Sequence, residues 1–79
     1  MNEFWVIFTE DTTAGEITAG LMAVPAINPE LQEGVWFFDA RWGTSRRDLN
    51  NLRGRIETGS GRGSVLNIGV QDEEKVRQK

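Results

Sequence analysis

The sequence predicts an α+β fold, in which a small antiparallel sheet of three to four strands carries one helix, spanning about residues 45–58. Two segments dense in aromatic and β-branched residues, 3–10 and 34–43, predict strands. After the second segment, one stretch of the chain has apolar residues at helical spacing. Strands combined with one amphipathic helix are typical of a two-layer sandwich.

The first predicted strand, EFWVIFTE, has apolar side chains on both of its faces. Phe4, Val6 and Phe8 alternate with Trp5 and Ile7. We therefore expect this strand in the centre of the sheet.

The segment GEITAGLMAV, residues 15–24, is compatible with two structures. As a helix it has a capping box, because Thr13 and Glu16 stand three residues apart. As a strand it forms a hairpin with the first strand through DTTAG, and each of its glycines weakens a helix by up to about 1 kcal/mol. The capping box favours the helix and the glycines favour the strand, and we adopt the strand.

The middle of the chain combines a loop with the second clear strand. Residues 25–34, with two prolines and a closing glycine, predict a loop or an isolated turn. We assign the aromatic residues of both strands to the core, because burial of each ring contributes about 1.5–3 kcal/mol. These residues are Phe4, Trp5, Phe8, Trp36, Phe37 and Phe38.

The predicted helix has clear signals at both ends. Ser45 can cap its start, with Asp48 at the third helical position, and Gly59 is the natural stop. An apolar stripe along it, to be packed against the sheet, consists of Leu49, Leu52 and Ile56.

The end of the chain predicts a flexible connector, GSGRG, followed by a short final strand over residues 64–70. We therefore expect one α+β domain over residues 1–70. Residues 71–79 form a charged tail that is expected to fray.

Composition favours a binding protein over an enzyme. The 79 residues include no cysteine and no histidine, so thiolate chemistry, the commonest general base and the commonest metal ligands are missing. We predict no catalytic residues, no metal site and no cofactor. No apolar run approaches the roughly 20 residues of a membrane span, and an acid stands where a signal peptide has basic residues. We expect a soluble intracellular protein.

Charge is distributed unevenly along the chain. Residues 1–40 contain seven acids and no Lys or Arg, whereas residues 41–63 contain six arginines and two acids, within a net charge of −3. Such asymmetry indicates a charged partner. We predict a protein-binding acidic face formed by Glu3, Glu10, Asp11, Glu16, Glu30, Glu33 and Asp39.

The arginine-rich segment has two interpretations. Its guanidinium groups can neutralise phosphates, which predicts a small nucleic-acid-binding protein that uses residues 41–62. The first helical turn disfavours cations, however, and the net charge repels a polyanion, so we favour a solvated helix face. The run GSGRGS precedes a strand and lacks the P-loop signature, and TEDTTAGE lacks the calcium-loop spacing.

A second contact cluster is predicted where the second strand meets the helix. Trp and Arg are enriched at binding hot spots, although the alternative of a tryptophan that covers the core is equally compatible. The cluster consists of Arg41, Trp42, Arg46 and Arg47, and the predicted contact residues also include Arg53 and Arg62.

The chain as a whole resembles the small phage-encoded anti-CRISPR proteins. The likeness is one of profile over the full length, carried by the acid-only first half from Glu3 to Asp39 and by the segments FWVIFTE and SRRDLNNLRGRI. Antitoxins and phage structural accessory proteins share this profile. The basic segment 41–62 departs from a pure DNA mimic.

The resemblance implies a stoichiometric inhibitor in the cytoplasm of a bacterial host. Its partner would be a protein complex, a CRISPR effector with bound guide RNA, whose nucleic-acid-binding surface it blocks. Direct nucleic-acid binding and membrane association are not expected. The alternatives are the nucleic-acid-binding protein described above and a phage structural or assembly protein.

Overall fold

The computed structural model describes residues 1–71 and confirms the α+β class. Of the tail predicted over residues 71–79, Gln71 is described, and its backbone N–H donates to the carbonyl of Glu3 at 2.9 Å. Residues 72–79 lie outside the described residues. A four-stranded antiparallel sheet is packed against two helices. The elements in chain order are β1 (Asn2–Phe8), α1 (Ala14–Ala23), β2 (Ile27–Gln32), β3 (Val35–Ala40), α2 (Arg46–Ser60) and β4 (Val65–Val70).

The sheet has the strand order β2-β3-β1-β4, with every neighbouring pair antiparallel. Two helices that connect strands in this order are the ferredoxin-like arrangement of interleaved β-α-β units. The central position predicted for β1 is confirmed, since it lies between β3 and β4. Both β2 and β4 are edge strands.

The prediction of a strand over residues 15–24 is wrong, because this segment forms α1 and the sheet therefore carries two helices. The capping box decides the structure locally: the backbone N–H of Glu16 donates to Thr13 Oγ1 at 3.2 Å, and Thr13 N–H donates to Glu16 Oε1 at 2.9 Å. Gly20, which favoured the strand in the sequence analysis, is buried against α2. A Cβ there would meet Ile56 O at 2.9 Å. The glycine permits close packing of the two helices.

The prediction of a loop over residues 25–34 is also wrong, since β2 occupies most of this segment. Pro29 is tolerated because β2 is an edge strand, and the register shifts between Ile27 and Glu30. Glu33 and Gly34 have φ angles of 50° and 81°. Positive φ at both central residues is typical of the tight turn that joins β2 to β3.

The predicted start of helix α2 is confirmed, whereas the predicted stop at Gly59 is wrong. Ser45 caps it, with Asp48 N–H donating to Ser45 Oγ at 3.1 Å. The helix continues through Gly59 to Ser60, and Gly61, with φ of 106°, ends it. Gly59 instead faces α1, where a Cβ would collide with the backbone of Ala19. Its role is therefore helix packing.

The hydrophobic core lies between the helices and one face of the sheet. Phe4 and Phe38 stack within it, with ring centroids 5.8 Å apart. Phe8 and Trp36 pack against its margin. Trp5 and Phe37, which we assigned to the core, are absent from it and lie half-buried on the other face. The core comprises Phe4, Val6, Leu21, Val24, Phe38, Ala40, Leu52, Ile56 and Val65.

Candidate functional site

The face of the sheet opposite the helices has no covering element among residues 1–71. We call it the open face. Side chains alternate between the two faces of a strand, so each open-face residue is out of phase with the buried Phe4 and Phe38. Strands β1 and β3 contribute Glu3, Trp5, Ile7, Val35, Phe37 and Asp39.

The centre of the open face is aromatic. Trp5 and Phe37 are directly opposite each other in the register of β1 and β3. The Trp5 indole extends over Gly69 of the edge strand β4, where a Cβ would lie 2.6 Å from the ring. Gly69 thus provides the space in which the indole covers the neighbouring strand.

Carboxylates lie at one end of this aromatic centre and along its β2 side. Glu3 and Asp39 are directly opposite each other, and Glu30 of β2 is opposite Phe37. Like charges in directly opposite positions destabilise an antiparallel pair, so Glu3 and Asp39 stabilise the fold less than a neutral pair would. A cation placed between them removes this repulsion.

The three carboxylates line one open cavity of about 340 Å³. Phe37 forms part of its wall, and the amide side chains of three further residues provide more hydrogen-bonding groups. Those residues are Asn28, Gln32 and Gln71. Within residues 1–71, no three acidic side chains are grouped closely enough to hold a metal ion.

The remaining acids of the predicted face lie elsewhere. Glu10 and Asp11 are exposed in the turn after β1, where Thr9 Oγ1 donates to Asp11 Oδ1 at 2.7 Å. Glu16 caps α1, and Glu33 lies in the turn between β2 and β3. The seven acids therefore do not form one surface. Glu3, Glu30 and Asp39 line one cavity, and Asp11 and Glu16 line a second one together with Arg62.

Trp42 is anchored where β3 leads into α2. Its Nε1–H donates to the backbone oxygen of Asp48 at 2.8 Å, and its own carbonyl accepts from Asn2 Nδ2 at 2.7 Å. The indole is half-buried and packs against the core. These contacts favour the interpretation of Trp42 as a cover for the core.

The five arginines among the predicted contact residues are dispersed. Arg41, Arg46 and Arg47 are exposed near Trp42, at the end of β3 and the start of α2. Arg53 Nη2 donates to the carbonyl of Val65 at 2.8 Å and so connects α2 to β4. Arg62 is exposed in the loop after α2. Arg41 and Trp42 line one cavity, whereas Arg46 and Arg47 are exposed in the first turn of α2, and Arg62 lines a different cavity with Asp11 and Glu16.

The glycine-rich run forms the predicted connection from helix to strand. Its two serines, Ser60 and Ser64, are buried, and their Oγ atoms are 2.6 Å apart. The backbone N–H of Val65 donates to Glu57 Oε2 at 3.1 Å. The two serine hydroxyls therefore hold the loop against the end of α2.

Sequence reasoning missed the open face, although a signal for it was present. Glu3 is in phase with Trp5 and Ile7, and Asp39 is in phase with Phe37. In each of these two strands, an acid therefore points to the same face of the sheet as the aromatic residue. Because burial of an unpaired charge is costly, this pattern indicates a sheet face that stays in contact with water.

Comparison with known proteins supplies no family. No family model matches the chain, and neither a curated protein nor a solved structure matches it. Within residues 1–71, no helix is both long and apolar enough to cross a membrane.

Proposed function

We propose that this protein is a stoichiometric inhibitor without turnover, which binds through its open face to a basic, nucleic-acid-binding surface of a bacterial defence complex. A CRISPR effector is the partner class that the sequence profile suggests. The observation that carries the proposal is the directly opposed pair Glu3 and Asp39 on a sheet face that the helices leave uncovered.

The electrostatics of the pair support a cationic partner. Two opposed carboxylates repel each other in the free protein, and Lys or Arg from a partner converts this repulsion into charge-assisted hydrogen bonds. An effector holds its nucleic acid in a positively charged channel. Carboxylates on a rigid sheet can take the place of phosphates there.

The aromatic centre supports a protein interface. Aromatic residues are enriched in the cores of protein interfaces, where a polar rim surrounds them. Trp5 and Phe37 occupy the centre of the open face, with Glu3 and Asp39 at one end and Glu30 on the β2 side. The open face thus combines an aromatic centre with a partial rim of carboxylates.

The arginines give less support to a nucleic-acid-binding function. Arg53 is engaged with the carbonyl of Val65, and Arg62 lines a cavity with the acids Asp11 and Glu16. The net charge of −3 also opposes the approach of a polyanion.

Charge reversal on the open face tests the proposal. We expect Glu3→Lys combined with Asp39→Lys to weaken binding to the partner effector by roughly tenfold or more, because like charges across an interface cost several kcal/mol. The measurement is biolayer interferometry of the purified full chain against guide-loaded effectors of each CRISPR type, with competition by target DNA.

The matched control is Glu10→Lys combined with Glu33→Lys, which changes the net charge equally at two exposed turn positions. We expect this variant to bind within about twofold of the unaltered protein, because surface charges away from an interface act only through weak, screened fields. Equal loss in both double variants, or no binding of the unaltered protein to any effector, would contradict the proposal.

A single neutral substitution separates binding from folding. Asp39→Asn is expected to raise the free energy of unfolding by about 0.2–1 kcal/mol, since it relieves the repulsion with Glu3, while it weakens partner binding. Glu33→Gln is the control, because its carboxylate stands in a turn with no acid opposite, and it should change neither quantity. Urea unfolding and the same binding assay give both values. A less stable Asp39→Asn variant would show that the carboxylate serves the fold.

A further inference from the structure

The open face carries an arrangement of aromatic and acidic groups more specific than a general acidic surface. Phe37 has Trp5 opposite on β1 and Glu30 opposite on β2, while Asp39 follows two residues along the same strand. Directly opposite Cβ atoms in a sheet are about 5 Å apart, and diagonal neighbours about 7–8 Å. A planar group placed over the Phe37 ring is therefore within reach of carboxylates on two sides.

We propose that the open face recognises arginine in preference to lysine, through a guanidinium that stacks on Phe37 and bonds to Glu30, Asp39 and Glu3. This inference rests on the proposed function and specifies the partner's contact residue. The partner segment is an exposed arginine on the nucleic-acid-binding surface of a protein.

The chemistry of the two cations decides the preference. Guanidinium is planar, stacks on aromatic faces and presents five N–H donors that match carboxylates in pairs, whereas ammonium is a compact, strongly hydrated charge with three donors. The cavity beside Phe37 offers three carboxylates and the amide groups of Asn28, Gln32 and Gln71. A donor-rich planar cation satisfies more of these acceptors than lysine does.

The protein's own basic residues do not occupy this cavity in the described structure. Among residues 1–71, no Lys or Arg lines it. Its volume of about 340 Å³ is at the lower end of the range of small-ligand sites. The site therefore has both the space and the charge for a side chain from another molecule.

Aromatic residues on the central strands of a four-stranded sheet also stack nucleic-acid bases in some proteins. Here the same aromatic residues are flanked by Glu3, Glu30 and Asp39, which repel phosphates. The charge on this face thus favours a cationic protein segment over a nucleic acid.

Matched peptides test the inference with the full chain. Two glycine–serine peptides of equal length carry either arginines or lysines at the same positions, and their affinities are measured by isothermal titration calorimetry. We expect the arginine peptide to bind roughly fivefold more tightly, in line with a cation–π contribution at a partly desolvated ring. A single-stranded oligonucleotide is the third ligand and should not bind.

Two variants test which side chains produce the preference for arginine over lysine. Phe37→Leu should reduce the affinity for the arginine peptide to that for the lysine peptide, whereas Glu30→Gln, on the exposed edge strand, should weaken both. Circular dichroism confirms folding, and Glu30→Gln keeps the test valid if Phe37→Leu does not fold. Equal affinities for the two peptides, no binding of either, or tighter binding of the oligonucleotide overturns the inference. If Glu3→Lys with Asp39→Lys still weakens effector binding, the proposed function stands without the arginine preference.

Discussion

Replacement of Gly59 by alanine is expected to lower the free energy of unfolding by about 1–2 kcal/mol. A Cβ at this position would collide with the backbone of Ala19 and would lie 2.7 Å from the nitrogen of Gly20. Backbone atoms within a helix cannot rotate away as a side chain can, so α1 and α2 must separate. Such overpacking typically costs 1–3 kcal/mol, which exceeds the gain of about 0.5–1 kcal/mol from alanine's higher helix propensity.

Gly54 provides a matched control within the same helix. A Cβ there meets nothing within 4 Å, so only the propensity gain applies. We expect Gly54→Ala to raise the free energy of unfolding by about 0.5–1 kcal/mol. Urea unfolding followed by tryptophan fluorescence measures both variants. Shifts of the same sign and size would contradict the close helix crossing.

Leu52→Ala is expected to lower the free energy of unfolding by about 2–5 kcal/mol. The side chain of Leu52, on α2, is fully buried in the core between the helices and the sheet. Its truncation to alanine removes apolar contacts and leaves a cavity. A domain of 79 residues has a total stability of roughly 4–12 kcal/mol, so the loss is a large fraction of the whole. We expect a variant that is partly unfolded at physiological temperature.

Leu66→Ala is the control for the same chemical change. Leu66 is 64% exposed on the edge strand β4, and its truncation should change the stability by less than about 0.5 kcal/mol. Thermal unfolding by circular dichroism distinguishes the two variants. A loss in Leu66→Ala equal to that in Leu52→Ala would contradict the assignment of the core.

The three clearest strands and the longer helix could be predicted from local pattern. The alternation around Phe4 and Phe38, and the stripe of Leu52 and Ile56 behind the Ser45 cap, are short-range signals. The segment that forms α1 could not be assigned with the same means. Gly20 weakens an isolated helix. In this fold it permits close packing against Ile56, which is distant in the chain.

The candidate site, too, could be predicted only in part from local sequence patterns. The acid-only first half of the chain predicted an acidic surface, yet only Glu3, Glu30 and Asp39 share the open face. Their grouping depends on strand order and register, because three separate strands contribute them. Residues as close in sequence as Glu10 and Asp11 belong to a turn outside that face.

By itself, the sequence determined the α+β class, the central place of β1, the start of α2 and the excess of acidic charge before residue 41. These properties depend on side-chain periodicity, capping residues and composition, which act over a few neighbouring positions. Only the tertiary structure decided that residues 14–23 are helical, that Gly59 lies inside a helix crossing, and that Trp5 and Phe37 remain outside the core. Each of these three features depends on which element covers which face of the sheet. Long-range packing decides this, because both helices lie on one side of the sheet and leave the other side uncovered among the described residues.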